Sequence, residues 1–178
     1  MTRVLLLVLG ALAAVVVVVL VVGWSLPVRH QAARELRLPA APPAVYALVA
    51  GVEAYPAWRS GVEAVEVLER DAAGAPTRFR ERSGDGDILF EVAERVPERR
   101  LVTRIADPSL PFGGRWTFEL APAGSGTQLR ITEDGEVYNP LFRFVSRFVM
   151  GHDRTIARYL RDLERRFAGA SGNPSRER

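Results

Sequence analysis

The stretch from residue 140 to residue 168 carries the longest helical pattern in the sequence and constrains the fold more than any other segment. At about 100° per residue, a set of side chains that are apolar apart from one histidine falls within one arc of about 100°. The set comprises Leu141, Val145, Phe148, His152, Ile156, Tyr159, Leu163 and Phe167. Arginines occupy the opposite side at positions 143, 147, 154, 158, 161 and 165. At 1.5 Å per residue the predicted helix is about 43 Å long, so it needs a sheet to lie on.

Short alternating segments separated by turn residues fill the sequence between residues 30 and 137. The predicted strands are 30–38, 62–70, 77–83, 88–95, 101–106, 115–120 and 127–137, and the predicted short helices are 44–50 and 53–58. The sequence GDGD at 84–87 predicts a tight hairpin turn. Arg78, Arg80 and Arg82 share one face of a strand, so that face is expected to be wet. This order of elements predicts an α+β fold with an antiparallel sheet of about six or seven strands around the long helix.

The N-terminus reads as a membrane segment. Residues 4–22 are apolar without a charge, and nineteen residues of helix span about 28 Å, close to the hydrocarbon thickness of a bilayer. The alternative is a cleaved signal peptide, but the run exceeds an ordinary signal core and no A-x-A site follows it. We therefore expect an uncleaved single-pass anchor in the cell membrane, with Trp24 at headgroup level. Arg3 on one side and Arg29, Arg34 and Arg37 on the other leave the orientation open.

Composition excludes several classes of function. The sequence has 24 basic residues, all of them arginine, against 21 acidic residues, and its formal net charge is +3. These charges alternate in sign along the chain, and no nucleic-acid-reading motif accompanies them, so we expect no nucleic-acid partner. Cysteine is absent, and His30 and His152 are too few for a multi-histidine metal site. We expect no metal and no cofactor.

Two segments carry a resemblance to a known family. PPAVYALVAGVEAYPAWRSGVEAVEVLER has a proline-led short helix, an aromatic-Pro-x-Trp turn and then a strand, at Pro43, Tyr55, Pro56, Trp58 and Val62 onward. LPFGGRWTFELAPAGSGTQLRITEDGEVYNPLFRF is similar to the same family's last two strands and the start of its last helix. Over residues 31–168 the chain resembles the START-like (SRPBCC) superfamily, in its polyketide cyclase/dehydrase and lipid-transport group. The resemblance implies a helix-grip fold with a hydrophobic cavity under the long helix.

The domain boundaries follow from these assignments. We expect an anchor and link at residues 1–28, a START-like helix-grip domain at 29–168 and a flexible tail at 169–178. The oligomeric state stays open.

The candidate cavity residues are mostly aromatic. They are Trp58, Phe79, Phe90, Trp116, Phe144, Phe148, His152 and Ile156. In this fold, residues that line a cavity and residues that pack a core are of the same types, so a filled core is the alternative. His152 is either a polar contact inside the cavity or a structural histidine.

Two carboxylates are candidate polar groups of the cavity. Glu81 shares a strand face with Phe79, and Glu133 shares one with Leu129 and Ile131. If those faces point inward, burial would raise the carboxyl pKa and suit it to acid or base chemistry. The alternative is that both sit in water at strand ends.

Two surface segments each have two possible interpretations. Residues 107–114 (DPSLPFGG) form either a cavity lip or membrane-touching tip, or an ordinary connection. The arginine face of the last helix is either solvated, with Asp162 and Arg166 as a local ion pair, or directed at anionic lipid.

Two functions of different classes remain from the sequence. The first is a membrane-anchored binding or transport module that holds a hydrophobic small molecule, such as a lipid, quinone or polyketide-like compound. The second is a cyclase or dehydratase-type enzyme that uses a cavity carboxylate or His152. The absence of a complete catalytic motif and the presence of the anchor favour the first. A protein-interaction domain with a filled core is a third interpretation.

The anchor assignment predicts the mature N-terminus. Intact-mass analysis of the protein from the membrane fraction should give the full chain, because the apolar run matches bilayer thickness and no cleavage site follows it. Soluble protein that begins after residue 24 would contradict it.

Overall fold

The computed structural model describes residues 2–84, 86–150 and 154–171. The first part contains α1 (Thr2–Ser25), β1 (Arg29–Leu38), α2 (Pro42–Ala50), a 3-10 turn (Val52–Ala54) and α3 (Tyr55–Trp58). Six strands follow: β2 (Val62–Arg70), β3 (Pro76–Ser83), β4 (Gly86–Val96), β5 (Arg100–Ile105), β6 (Phe112–Ala123) and β7 (Gly126–Val137). The last part contains α4 (Pro140–Val145), a π-helical turn (Ser146–Met150) and α5 (Arg154–Ser171). The predicted α+β helix-grip fold is confirmed.

The strands form one seven-stranded antiparallel sheet in the order β1-β7-β6-β5-β4-β3-β2. Tight turns make β2 to β7 neighbours in chain order, whereas β1 pairs along its whole length with β7. Because β1 and β2 lie at opposite edges, α2 and α3 must carry the chain across the full width of the sheet. Shifts in register at Val62/Ala64, Val67/Glu69 and Val92/Glu94 are bulges that bend the strands.

The main core lies between α5, α2 and the central strands. Ile156 and Leu163 of α5 are fully buried, as are Leu129 and Ile131 of β7. They pack with the remaining buried members of the same cluster, Leu38, Val45, Val49, Leu101, Phe118, Leu120, Tyr159 and Leu160. A second buried cluster lies under α3 and consists of Val52, Tyr55, Val62 and Phe79. The α5 half of the predicted apolar face is therefore core.

The outer face of β3 is wet, as the alternation predicts. Its arginines form exposed ion pairs with acids of the neighbouring strands: Arg78 with Glu69, Arg80 with Glu66 and Arg82 with Asp87. Such exposed pairs contribute little to stability, so this face chiefly keeps the sheet soluble on one side. Residue 85, in the expected hairpin turn, lies outside the described residues.

The single apolar face predicted for residues 140–168 is wrong in its first half. Leu141 and Phe148 are 47% and 60% exposed. A π-helical turn, Ser146–Met150, follows α4 directly, and α5 begins at Arg154. The i→i+5 hydrogen bonds of a π-helical turn accommodate one extra residue, so the periodicity of α4 is interrupted there. The side chains of α4 do not continue the face that α5 packs on the sheet.

Arg143 is also placed differently from the prediction of a solvated face. It is 8% exposed, and its guanidinium donates to the carbonyl oxygens of Leu26 at 2.8 Å, Tyr138 at 3.2 Å and Trp24 at 3.4 Å. The last carbonyls of a helix attract a cation, so Arg143 binds where α1 ends.

The chain between β5 and β6 is shorter than the predicted connection at 107–114. Residues 112–114 already belong to β6, and Gly113 and Gly114 pair with Glu136 and Gly135 of β7. Gly114 has a φ of 132°, and a Cβ there would lie 2.4 Å from the carbonyl oxygen of Asp134. The glycine pair lets the strand start this early, because a side chain at Gly114 would collide with β7.

The predicted chain ends are partly described. α1 is one helix of 24 residues with a mean hydropathy of 3.4 in its most apolar window, none of which is buried. It is long and apolar enough to span a membrane. At the other end, residues 169–171 of the predicted tail belong to α5, and residues 172–178 lie outside the described part of the chain.

Asp162 fixes α5 to the turn between α3 and β2. Its side chain is buried rather than solvated, and it accepts hydrogen bonds from the backbone N–H of Ser60 at 2.8 Å and from the Ser60 hydroxyl at 2.8 Å. Arg165, one turn along α5, also binds this carboxylate. The predicted local pair with Arg166 is thus replaced by contacts that reach another element.

Removing this contact should destabilise the domain. Asp162→Ala removes the charged acceptor of the Ser60 N–H and hydroxyl groups, and we expect a loss of about 1–3 kcal/mol in the free energy of unfolding. Denaturant unfolding measures it. Glu164→Ala, at an exposed site on the same helix, is the control and should change little. Equal unfolding midpoints for the two variants would contradict the assigned role.

Candidate functional site

A cavity of about 470 Å³ lies between the inner face of the sheet and the helices α4 and α5. Its walls come from His30 of β1, from β3 to β7, from Tyr55 of α3 with the following Arg59, and from both C-terminal helices. The apolar part of the lining consists of Phe79, Ile88, Phe90, Ile105, Phe112, Trp116, Phe118, Val137 and Phe142. Phe118 and Tyr159 belong both to the core under α5 and to this lining, so the cavity adjoins the core.

Glycines on two neighbouring strands make room for a histidine in the wall. Gly135 of β7 pairs with His30 of β1, and a Cβ on Gly135 would lie 2.3 Å from the imidazole ring. Gly113 of β6 is similarly covered, because a Cβ there would lie 2.4 Å from the hydroxyl of Tyr138. Any side chain at Gly135 would displace the ring of His30 from the strand surface. These glycines therefore decide that His30 lies across β7 at the cavity.

Glu133 is the carboxylate next to His30. It lies on β7 between Ala32 of β1 and Trp116 of β6, and its Oε1 is 4.0 Å from Nε2 of His30. Its Oε2 is buried and has no hydrogen-bond partner among the described residues. Burial raises the pKa of Glu133 from 4.5 to about 7, although the Trp116 indole offsets part of the rise. Near neutral pH this carboxyl group can both accept and give a proton.

Arg59 and Glu81 form a second polar group of the cavity wall. Nη1 of Arg59 donates to Oε2 of Glu81 at 2.5 Å, with only 15% and 10% of the two side chains exposed. The guanidinium also lies 4.6 Å from the ring centre of Tyr55 and 5.1 Å from that of Tyr159. Burial by itself would lower the pKa of Arg59, but Glu81 and the two tyrosines raise it above its ordinary value. Arg59 is therefore a permanent cation, and Glu81 is its counter-ion.

Tyr159 adds a buried hydroxyl beside this pair. The residue lines the cavity, and its hydroxyl oxygen has no hydrogen-bond partner among the described residues. Burial raises the pKa of Tyr159, so the hydroxyl stays protonated and can donate. The adjacent Tyr55 hydroxyl already donates to the carbonyl oxygen of Val49 at 2.6 Å. The Tyr159 hydroxyl is consequently a donor that a bound molecule would satisfy.

The structure brings together only some of the residues selected from sequence. Phe79, Glu81, Phe90, Trp116 and Glu133 line the cavity. Their contact with a ligand stays a prediction.

Other selected residues lie elsewhere. Trp58 packs edge-on against Tyr159 at 5.2 Å between ring centres, and Phe144 packs against Phe148 at 4.9 Å. Ile156 is part of the close-packed core. The selected residues Trp58, Phe144, Phe148 and Ile156 are not among the described residues that line the cavity. His152 lies outside the described residues.

The sequence reasoning missed His30, Arg59 and Tyr159. His30 could have been selected from the sequence, since it starts a predicted strand in a chain with only two histidines. The sequence feature that points to Arg59 is weaker: the residue directly follows the aromatic-Pro-x-Trp turn. Tyr159 was on the predicted apolar face, where nothing distinguished it from core. Among the described residues, no group of three or more His, Asp or Glu side chains is arranged to hold a metal ion.

Comparisons with known proteins agree with the fold. A sequence profile described as polyketide cyclase / dehydrase and lipid transport matches residues 38–157. A comparison with curated protein sequences finds no significant match. Among solved structures, a START superfamily protein from Mycobacterium smegmatis is 20% identical, covers 79% of this chain and 99% of its own, and superposes with a TM-score of 0.67.

Two structures of proteins with a named function are also similar. The di-domain ARO/CYC StfQ from the steffimycin biosynthetic pathway is 15% identical, with 82% of this chain and 53% of that chain covered and a TM-score of 0.63. A norcoclaurine synthase point mutant from Thalictrum flavum is 11% identical, with 82% and 98% covered and a TM-score of 0.63. At these identities the likeness shows the fold alone. The profile match spans well over half of the chain, and the chain belongs to the START-like polyketide cyclase/dehydrase and lipid-transport family.

Proposed function

We propose that this protein is a membrane-anchored module that binds or carries a hydrophobic small molecule in the cavity beneath its C-terminal helices. The observation that carries the proposal is the cavity itself. Its volume of about 470 Å³ is within the range of ligand pockets, roughly 300–1,000 Å³. More of its wall surface is apolar than polar, and charged side chains such as Arg59, Glu81 and Glu133 interrupt the apolar lining. That combination is typical of a site that buries an apolar molecule and orients it.

The polar groups of the wall restrict the chemistry of the ligand. The Tyr159 hydroxyl and Oε2 of Glu133 have no partner among the described residues, and a plain hydrocarbon chain would leave both unsatisfied. Phe79 and Phe90, which both line the cavity, stack on each other at 5.4 Å between ring centres with an interplanar angle of 20°. An apolar molecule with carbonyl or hydroxyl groups, such as a quinone or a polyketide, meets these conditions better than a plain acyl chain.

The helix α1 supports the anchored part of the proposal. A domain tethered beside a bilayer has direct access to molecules that partition into lipid. The helix is long enough to cross the hydrocarbon layer, and none of its most apolar window is buried in the protein. A helix with that composition is stable in lipid and would be a costly exposed surface in water.

An enzyme is the second candidate, and Glu133 is the observation that favours it. A carboxyl group with a pKa of about 7 beside an imidazole can remove a proton from carbon next to a carbonyl group. The same group, once protonated, can return that proton to a departing hydroxyl group, which then leaves as water. This balanced proton transfer is the chemistry of a dehydratase or cyclase. The cyclase and the synthase with similar structures are too distant in sequence to transfer an activity to this chain.

Filling the cavity should abolish binding without unfolding the domain. Ile105 lines the cavity, so the larger side chain of Ile105→Trp enters empty space. We expect it to prevent binding of a fluorescent quinone analogue while the melting temperature stays close to that of the parent protein. Fluorescence titration and thermal melting of the full chain in nanodiscs measure the two effects.

The same change in the core is the matched control. Ile156→Trp overfills a fully buried position and should cost about 1–3 kcal/mol of folding stability. If Ile105→Trp lowers the melting temperature as much as Ile156→Trp, the space is close-packed and the binding proposal fails. No binding of quinone, fatty acid or polyketide analogues by the parent protein would also sink it.

Glu133 should make stability depend on pH in a defined window. Its pKa is raised in the folded state, so the unfolded chain releases this proton first as the pH rises above about 4.5. The loss of folding stability caused by buried Glu133 grows with pH until about pH 7 and then stays constant. Glu133→Gln removes it, and we expect the variant to be more stable than the parent by about 2–3 kcal/mol at pH 8 and little different at pH 4. Thermal melting across this range measures the difference.

The control is Glu164→Gln, which removes an exposed carboxylate and should give a nearly flat difference. A flat difference for Glu133→Gln would show that this carboxyl group is hydrated in the folded protein. Conversion of a co-purified molecule by the parent protein, but not by a Glu133→Gln variant that still binds it, would favour the enzyme over the carrier.

A further inference from the structure

We propose that α4 is an interfacial helix that holds the mouth of the cavity against the lipid bilayer. The surface concerned is called here the α4 patch and consists of Trp24, Tyr138, Leu141, Phe142 and Phe148. All five side chains are exposed, with exposed fractions from 47% for Leu141 to 77% for Trp24. Its partner is a phospholipid bilayer, the one into which α1 inserts.

The α4 patch contains most of the large apolar surface outside the membrane helix. Among the described residues after α1, the exposed large hydrophobic side chains are Val28, Leu68, Val96, Tyr138, Leu141, Phe142 and Phe148. Leu68 and Val96 lie apart from the rest, on strands of the sheet. The other five side chains belong to the segment just after α1 and to the segment from Tyr138 through the π-helical turn. Apolar surface gathered in one place on an otherwise charged domain indicates a contact surface.

The contacts between α1 and α4 set the position of this surface. A Cβ on Gly23 would lie 2.1 Å from the carbonyl oxygen of Pro140, so the two helices touch at backbone distance. Arg143 ties the carbonyls of Trp24 and Leu26 to that of Tyr138. The α4 patch is therefore fastened to the end of the membrane helix rather than separated from it by a flexible linker.

The short connection to the sheet adds a second restraint. The backbone N–H of Val137 donates to the carbonyl oxygen of Val28 at 2.9 Å, three residues after α1 ends. Three extended residues reach about 10 Å at most. The end of β7, the start of β1 and α4 must all stay close to the membrane surface when α1 spans the bilayer.

The composition of the α4 patch matches the headgroup region. Tryptophan and tyrosine concentrate at the boundary between lipid and water, where their rings are apolar and their N–H or O–H groups stay hydrated. An interfacial helix typically buries its apolar side chains about 5–10 Å into that boundary. A second copy of this chain would need a complementary apolar surface, and the described residues after α1 show no second apolar cluster. A bilayer spanned by α1 would lie at this place, next to the end of that helix.

Phe142 connects the α4 patch to the cavity. Phe142 lines the cavity and is also 51% exposed, so the cavity reaches the surface at the α4 patch. Ser146 of the π-helical turn and Phe112 of β6 line the same end. A molecule dissolved in the bilayer would pass into the cavity without crossing water. This consequence rests on the proposed binding function, whereas the membrane contact does not.

The chain has no cysteine, so depth-dependent quenching can test the contact directly. Single variants Phe142→Cys and Phe148→Cys, labelled with an environment-sensitive fluorophore, report on the α4 patch of the full chain in phosphatidylcholine vesicles. Val15→Cys in α1 is the positive control. Ser125→Cys is the negative control, because it lies at the far end of β6 and β7, about 40 Å from Val137 at the rise of a strand. The vesicles contain spin-labelled lipids, with the quencher near the headgroup for positions 125, 142 and 148 and deep on the acyl chain for position 15, because Val15 lies about 13 Å below Trp24 along the helix.

We expect quenching at positions 142 and 148 to be several-fold greater than at 125. Quenching at 15 together with values at 142 and 148 as low as at 125 overturns the proposal while leaving the anchor and the cavity function intact. A label at 142 that is shielded from water but not quenched by lipid also overturns it, since a protein surface then covers the patch. Absence of quenching at 15 overturns the anchor and the proposal together.

Arg143 provides an independent arm of the test. Arg143→Ala breaks the tie to α1 and should reduce quenching at 142 and 148 while leaving position 15 unchanged. Arg143→Lys, which keeps a cation near the same carbonyls, should restore part of the quenching. Arg147→Ala, at an exposed arginine of the adjoining turn, is the matched control and should change nothing. Equal quenching in the Arg143→Ala and Arg147→Ala variants would contradict the role of Arg143 in holding the α4 patch at the membrane.

Discussion

The change of exposed face between α4 and α5 is the constraint on which the arrangement of the C-terminal half depends, and the π-helical turn at Ser146–Met150 interrupts the periodicity between them. An uninterrupted α-helix would lay Phe148 and Ile156 on the same side and pack both against the sheet. Instead, Ile156 of α5 is fully buried and Phe148 is exposed. The inner face of the sheet is therefore close-packed under part of α5, and the cavity adjoins that core beneath α4 and the start of α5. The exposed side chains of α4 and the turn form the surface next to α1.

The cavity wall combines two polar groups with opposite electrostatic states. Arg59 and Glu81 neutralise each other at 2.5 Å, so this pair supplies hydrogen bonds without a net charge. Among the described residues Glu133 has no ion pair this short, since Nε2 of His30 is 4.0 Å from its Oε1, and burial therefore favours its neutral form. A bound molecule would meet a charged but compensated pair in one part of the wall and a carboxyl group that can change its protonation in another.

Much of the fold could be predicted, because strand alternation and helix periodicity are local properties of the chain. The boundaries of β2 agree with the sequence prediction, and the other strands differ by a few residues. The errors fall where a contact distant in sequence decides the outcome. Arg143 was assigned to a wet face because periodicity describes the helix alone, and it is buried because α1 ends beside it. Asp162 was assigned to solvent for the same reason, although Ser60, 102 residues earlier, binds it.

By itself the sequence determined the class of fold, the apolar N-terminal helix and the sharing of one strand face by Phe79 and Glu81. These follow from the period of two in a strand, from the length of an uncharged segment and from the resemblance to a known family. Only the tertiary structure decided that Glu81 and Glu133 face the cavity, and that Glu81 is paired with Arg59 while Glu133 has no ion pair that short among the described residues. The protonation of a buried carboxyl group depends on which charges the fold brings within a few ångströms, and that proximity is set by packing between strands and helices rather than by spacing along the chain.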